Sequence, residues 1–248
     1  MKTRKRSLMA VAVCAALSVN LCIIFTDSAE AALKAAAVVT SVKGKVEMKR
    51  ADRKEFKKLR ASVMLYEGDV ITTGPSSQAA LALTGGAEVR VNENSNFRVE
   101  PGGRGETIKL ALGQIWSRML HKKARFRVRT QTAVCAVRGT EADIEMRKLM
   151  TVKVYEGSVD LMNSSGKQSL RAGQMSQVSG PGAAPSAPRN MQSSDYGKWQ
   201  DGIKVRDMNR LLESLKAASG GAAEKTMELD VKSGDQTKKL KLKLKKKQ

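Results

Sequence analysis

FRVRTQTAVCAVRGTEADIEMRKLMTVKVYEGSVDLMNSSGKQSLRAGQMSQV, residues 126–178, reads as a succession of short strands cut by turns. Phe126, Val128 and Thr130 alternate with Arg127 and Arg129, a two-residue period that suits a half-buried strand and not a helix. Ala142, Ile144 and Met146 then share one face, opposite Glu141, Asp143, Glu145 and Arg147. Val152 and Val154 precede a turn signal at Glu156–Gly157–Ser158, and Val159 and Leu161 follow it. Asn163–Ser164–Ser165–Gly166 is a second turn signal, and Leu170–Arg171–Ala172–Gly173–Gln174 leads into a last short strand. Nothing in the stretch is spaced like a catalytic apparatus.

The residues before it continue the pattern. Val38–Val42, Lys43–Gly44–Lys45 and Val46–Met48 read as a hairpin, Arg50–Lys58 as a charged loop, and Glu67–Gly68–Asp69–Val70 as a turn entering a strand. Ala79, Leu81 and Leu83 run to Gly85–Gly86, a two-residue hairpin turn, and Val89 and Val91 return. Phe97 and Val99 form a further strand; Ile108, Leu110 and Leu112 share a face until Gly113–Gln114 breaks the run. Only 4% of residues are aromatic against 41% hydrophobic, so the core is expected from Val, Leu, Ile, Ala and Met. The fold class expected is mainly all-β, an antiparallel sandwich or roll of many short strands. A short β-solenoid is the alternative, because turns recur at fairly regular intervals.

The same residues carry a resemblance. FRVRTQTAVCAVRGTEADIE, VKVYEGSVDL and LRAGQMSQV, taken in order, resemble the core of the FecR family of bacterial envelope proteins. That core has a T-P-T-A-V-x-x-V-R-G-T stretch, then V-x-V-x-x-G-x-V, then a closing L-x-x-G-Q. Gln131 stands where the family often has proline, and Ala142 where a large apolar residue is common. The likeness extends upstream through YEGDVITTGPSSQAALALTGGAEVRVNENSNFRV. It implies an all-β domain in which Arg138, Gly139, Thr140, Gly157, Gly173 and Gln174 are fold elements. It also implies signalling roles for some relatives, which carry messages from outer-membrane receptors to a sigma factor.

The start of the chain reads as a leader. Lys2, Arg4, Lys5 and Arg6 precede the apolar run Leu8–Phe25, and Ala29–Glu30–Ala31 supplies a small-x-small site, so residues 1–31 are expected to be a cleaved signal peptide and the protein to be exported to the periplasm or envelope. An uncleaved inner-membrane anchor over residues 8–25 is the alternative. About seven residues precede the apolar run, too few for a folded cytoplasmic domain, so a stand-alone exported relative fits better than a membrane-anchored sigma-factor regulator. Cys135 is then the one cysteine left, with no partner for an internal disulfide. The net charge of +21 becomes +19 once the leader's four basic and two acidic residues are removed, which favours an anionic neighbour.

Residues 32–180 are expected to be the β domain. Residues 181–198, with GPGAAPSAP at 180–188, read as a linker. Residues 199–219 are expected as one helix, with Trp199, Ile203, Met208, Leu211, Leu212 and Leu215 as its apolar stripe and Gly202 weakening its start. Residues 220–248 are a basic, β-like tail in which Leu240, Leu242 and Leu244 alternate with Lys239, Lys241, Lys243 and Lys245. That tail reads either as an edge strand pairing with Met227–Val231 or as a surface anchor.

The inventory for chemistry is thin. His121 is the sole histidine; a dyad with Cys135 is possible on paper, but a small thiol buried on a strand is the favoured reading. One His and one Cys do not close a metal site. Glu141, Asp143 and Glu145 are read as a solvated strand face, and Arg138 as pairing with Glu141 or Asp143. No nucleophile elbow, zinc-protease or phosphate-loop motif occurs, so neither catalytic residues nor a cofactor are expected. An envelope hydrolase or metal-dependent enzyme is the alternative from a different class. Arg125, Arg127 and Arg129 point one way from a single strand and, with Lys239, Lys241, Lys243 and Lys245, are the candidate anion-binding residues. Export and the scarcity of aromatics argue against nucleic acid. The expected partners are an envelope protein or an anionic lipid or polysaccharide, bound by a non-enzymatic module in envelope signalling or scaffolding.

Overall fold

The computed structural model describes residues 35–100, 106–121, 124–205, 208–218, 225–233 and 236–244. Of residues 140, 208, 209, 216, 218 and all from 225 onward it describes the backbone only. The leader, residues 1–31, lies outside the described residues. In chain order the strands are β1 (Ala35–Lys43), β2 (Val46–Lys49), β3 (Lys57–Lys58), β4 (Met64–Tyr66), β5 (Val70–Thr73), β6 (Gln78–Leu83), β7 (Ala87–Val91) and β8 (Asn96–Glu100). Then follow β9 (Glu106–Met119), β10 (Arg125–Arg129), β11 (Val134–Met146), β12 (Met150–Asn163), β13 (Gly166–Arg171), β14 (Gln174–Val178) and β15 (Arg189–Asn190). Two 3-10 turns (Ser193–Asp195 and Trp199–Gly202), the helix α1 (Met208–Ala218) and the hairpin β16 (Lys225–Ser233)–β17 (Gln236–Leu244) complete the order.

Fifteen strands form one hydrogen-bonded sheet, and three long strands divide it into two layers. The first half of β9 pairs with β8 and β10, its second half with β7 and β11. The first half of β11 lies between β10 and the end of β12, its second half between β9 and the start of β12. β12 pairs with β14 through its first half and β13 through its second. One layer therefore runs β3-β2-β5-β8-β9-β10-β11-β12-β13 and the other β4-β1-β6-β7-β9-β11-β12-β14-β15. Every pairing is antiparallel except β9–β10, which sets the fold apart from a solenoid of stacked parallel strands.

The crossings are made by bulges. Gly113, Gly139 and Gly157 have φ of 107°, 57° and 71°, the left-handed region where a side chain is strained. In each long strand one extra residue at the bend switches the inward parity: Ile108 and Leu110 give way to Ile115, Val137 to Ala142, and Val154 to Val159, all buried. The inward faces of both layers meet in a single core of small aliphatics with Phe97 and Phe126, and with no third layer between them they cover one another. Several expectations are corrected by this geometry. Gly157 and Gly113 bend continuous strands of 14 residues rather than ending short ones. Leu112, past the parity switch, is 47% exposed instead of sharing the face of Ile108 and Leu110. The segments on either side of Gly44 do not pair as a hairpin, since β1 and β2 belong to different layers; the Gly85–Gly86 hairpin is as expected.

The segment after β14 is seated on the domain, not a spacer. Ser186 Oγ accepts from the Gln177 amide, its carbonyl accepts from Ser176 Oγ, and Asn163 Nδ2 donates to the Ala183 carbonyl at 2.7 Å. Residues 191–203 then form a strap over the outer face of the second layer. Lys153 Nζ donates to the Asp195 carbonyl, Trp199 Nε1 to Asp143, Gln78 Nε2 to the Trp199 carbonyl and Arg90 to the Gln200 carbonyl. The helix begins at Met208, not Trp199, because the strap residues pack singly against the sheet in 3-10 turns. Its Leu215 is wholly buried on Ala35, Val38 and Ala82, a second apolar cluster on the outside of β1 and β6. At the end of the chain β17 pairs along β16 with Leu240 opposite Leu229, Lys239 opposite Asp230 and Lys241 opposite Glu228.

Candidate functional site

The outer face of the first layer carries no strap or helix among the described residues. Alternation dictates what it shows: β10 buries Phe126 and Val128 inward and turns Arg125, Arg127 and Arg129 outward, as the sequence predicts. Register extends this strip over neighbouring strands. Arg129 stands beside Lys109 and Lys109 beside Arg98. Arg125 stands beside Arg138, then Ser158, then Arg171. Lys167 lies on the same outer face of β13, opposite Met162. Glu100 and Asp160 are the carboxylates within this area, among the described residues.

The two acids are shared among the cations. Glu100 lies 3.7 Å from Arg129. Asp160 lies 3.1 Å from Arg138 and 3.5 Å from Lys167, and a hydrogen bond from Ser169, with those two cations, holds its carboxyl below the usual range. Arg138 thus reaches Asp160 and not Glu141 or Asp143, because the bulge at Gly139 separates it from the second half of its own strand. Arg138–Gly139–Thr140 is that bulge, Gly157 the facing one, and Gly173 the tight turn from β13 to β14, with Gln174 Oε1 accepting the Arg171 amide across it. Each of these backbone positions lies at a bend or turn of the strands. Arg98, Lys109, Arg125 and Arg129 are long, exposed cations on a nearly regular strand lattice. Such a lattice holds several phosphate or carboxylate groups at once and weakly each.

Sequence reasoning found the three arginines of β10 but missed Arg98, Lys109, Lys167 and Arg171, which only register brings alongside. The tail lysines are not part of this face as described: Lys239, Lys241 and Lys243 lie on β17 within its own hairpin, and Lys245 lies outside the described residues.

The second layer's outer face is chemically different. Glu88, 1% exposed, is clasped by Arg90 and Arg118 at 2.7 Å each, and both guanidiniums stack on Trp116 at 4.8 and 5.5 Å. Trp116 Nε1 donates to Glu141. Asp143, expected on a solvated face, is 2% exposed beneath the strap. Burial pushes its carboxyl up to about 6, against hydrogen bonds from Gln114 and Trp199 and the charge of Lys153. Cys135 is fully buried on β11 and burial pushes its thiol up, whereas His121 is exposed at the end of β9; the two form no dyad. Among the described residues no three His, Cys, Asp or Glu side chains gather to hold a metal.

A two-layer β domain with bulged shared strands and one basic outer face is thus the class defined by fold and site. Residues 69–160 match the family model described as FecR protein, and this part of the chain is a FecR domain. Two crystal structures of a candidate anti-sigma factor from Parabacteroides distasonis are similar at 18% identity, with TM-scores of 0.45 and 0.44. The match covers 50% of this chain and 61% of theirs. No curated protein matches the chain.

Proposed function

We propose that the protein is a non-enzymatic, exported FecR-domain module that binds an anionic component of the bacterial envelope, in signalling or scaffolding. The observation that carries this reading is the outer face of β8–β13, where Arg98, Lys109, Arg125, Arg127, Arg129, Arg138, Lys167 and Arg171 share one surface with Glu100 and Asp160. The leader, the family match and the positive charge all support it. Phosphate on lipid headgroups and carboxylate on polysaccharide are the same chemistry to such a face. Each cation held near an anionic bilayer contributes about 1 kcal/mol, and the attraction is screened within about 10 Å at 0.1 M salt.

The test is co-sedimentation of the protein with anionic vesicles, zwitterionic vesicles and an insoluble acidic polysaccharide. Binding to one anionic matrix, falling steeply with added salt, is expected. Reversing Arg125, Arg127 and Arg129 to Glu is expected to abolish it, while deletion of Lys238–Gln248 leaves most of it. Loss on tail deletion alone moves the function to the tail, and binding by neither anionic matrix refutes the reading.

A further inference from the structure

A cleft of about 650 Å³ lies away from the basic face, walled by Thr40–Gly44 at the end of β1, by Lys58–Ala61 from the end of β3, and by Gly202–Lys204 at the end of the strap. Four cations line it, Lys43, Lys58, Arg60 and Lys204, and no carboxylate does. All four are exposed, and among the described residues none has an ion-pair or hydrogen-bond partner for its side chain. Elsewhere the protein balances its buried and half-buried charges closely, as at Glu88 and Asp160. Like charges drawn to one concave place without a counter-charge repel one another, and an anion relieves that repulsion.

Two further features shape the cleft. The third wall is held in place: Gln78 fixes the strap at the Trp199 carbonyl, Arg90 fixes it at the Gln200 carbonyl, and Gly202 sits so close to Gln78 that an added Cβ would lie 3.1 Å from its Oε1. On the side of β1 away from β6, pairing with β4 stops at Val38, so the backbone of Thr40–Lys43 has no strand neighbour there among the described residues.

We propose that this cleft binds a small, multiply charged anion, a phosphate- or carboxylate-bearing molecule of about disaccharide size. Its volume falls in the range of small-molecule sites, and its cations suit charge-assisted hydrogen bonds to either group. The site uses none of the residues of the β10 strip. A ligand there also meets the end of the strap, through Ile203 and Lys204.

Titration of the ¹⁵N-labelled protein with inorganic pyrophosphate and, separately, with digalacturonate tests this and separates the two chemistries. Saturable amide shifts are expected for Thr40–Gly44, Lys58–Ala61 and Gly202–Lys204 with at least one probe. The double variant Lys58→Gln/Arg60→Gln is expected to bind about tenfold more weakly or less, while Arg125→Gln/Arg127→Gln/Arg129→Gln binds as the parent does. No saturable shift with either probe up to about 10 mM, shifts centred on Arg125–Arg129 instead, or parental affinity in the Lys58/Arg60 variant each overturns the proposal. Because the mapping uses the unsubstituted protein, it stands even if a variant fails to fold. Loss of vesicle or polysaccharide binding by the strip variant, with cleft shifts intact, separates this site from the basic face.

Discussion

Gly113 and Gly139 do the same work at different cost. Both bend a long strand at positive φ, but a Cβ on Gly113 would lie 2.4 Å from the Ser95 Cα, whereas one on Gly139 meets nothing within 4 Å. Gly139→Ala is expected to lose only the left-handed backbone strain, about 1–2 kcal/mol. Gly113→Ala also forces the β8 end away from β9 and is expected to lose more than about 4 kcal/mol or the cooperative transition altogether. Urea unfolding of the pair checks this, and equal losses would mean strain alone governs both. In the sequence Gly113 reads as the break that ends a strand and Gly139 only as a fold element, because a glycine within an alternating run signals a reversal and a bulge equally. Asp143 is a second residue whose role was hidden: alternation places it outward, and the strap, far along the chain, covers it with Trp199 donating to its carboxylate. Its carboxyl titrates near 6 in the fold against about 3.9 unfolded. Between those values the native state holds a proton that the unfolded chain has released, so this group's contribution to stability falls as pH rises from about 4 to 6 and is flat above. Asp143→Asn keeps a carbonyl acceptor for Trp199 and is expected to remove that slope, raising stability above pH 7 by on the order of 1–3 kcal/mol. A variant with the parental slope between pH 4 and 6 would show that Asp143 does not titrate there.

The strap and α1 act as one closing element over the second layer. Leu215→Ala opens a cavity against Val38 and Ala82 and is expected to cost about 2–5 kcal/mol by thermal or urea unfolding. Ending the chain at Gly180 removes that contact together with the Trp199 and Gln200 bonds to the sheet. The shortened chain is expected to melt well below the full one, and an unchanged melting temperature would show that the strap is seated without stabilising what it covers. Strands were legible here because a two-residue period survives wherever one side of a strand meets the core. The strap was not. Apart from the Trp199 indole, its hold and that of the segment before it come from backbone carbonyls of Ala183, Ser186, Asp195, Trp199 and Gln200, which carry no residue signature, so Gly, Pro and Ala around Ala183 and Ser186 read as a linker. The helical stripe holds for Leu211, Leu212 and Leu215 on α1 but not for Trp199 and Ile203 before it, because apolar residues at helical spacing also arise when a coil lays single side chains onto a sheet.

Most of the motifs behind the FecR resemblance lie in the matched region 69–160, the closing Leu170–Gln174 beyond it, and the two-layer fold gives two of them a shared role: Arg138-Gly139-Thr140 and Gly157 are facing bends on paired strands. The basic face was half legible. One strand's arginines could be read from the sequence, but the lateral neighbours on β8, β9 and β13 depend on register between segments distant in the chain. If the protein is exported as proposed, N-terminal sequencing of the protein recovered from cells is expected to begin at Ala32 or within a few residues of it. Met1 on a membrane-embedded chain would establish the anchor instead. Three strands that serve both layers have a further consequence for how such a domain changes over generations. No junction between residues 106 and 163 leaves either layer with its own complete set of strands, so neither can be exchanged, duplicated or lost as an independent part. The strap, the helix and the terminal hairpin all follow the last core strand, so a change of length or sequence there leaves the strand set of both layers whole.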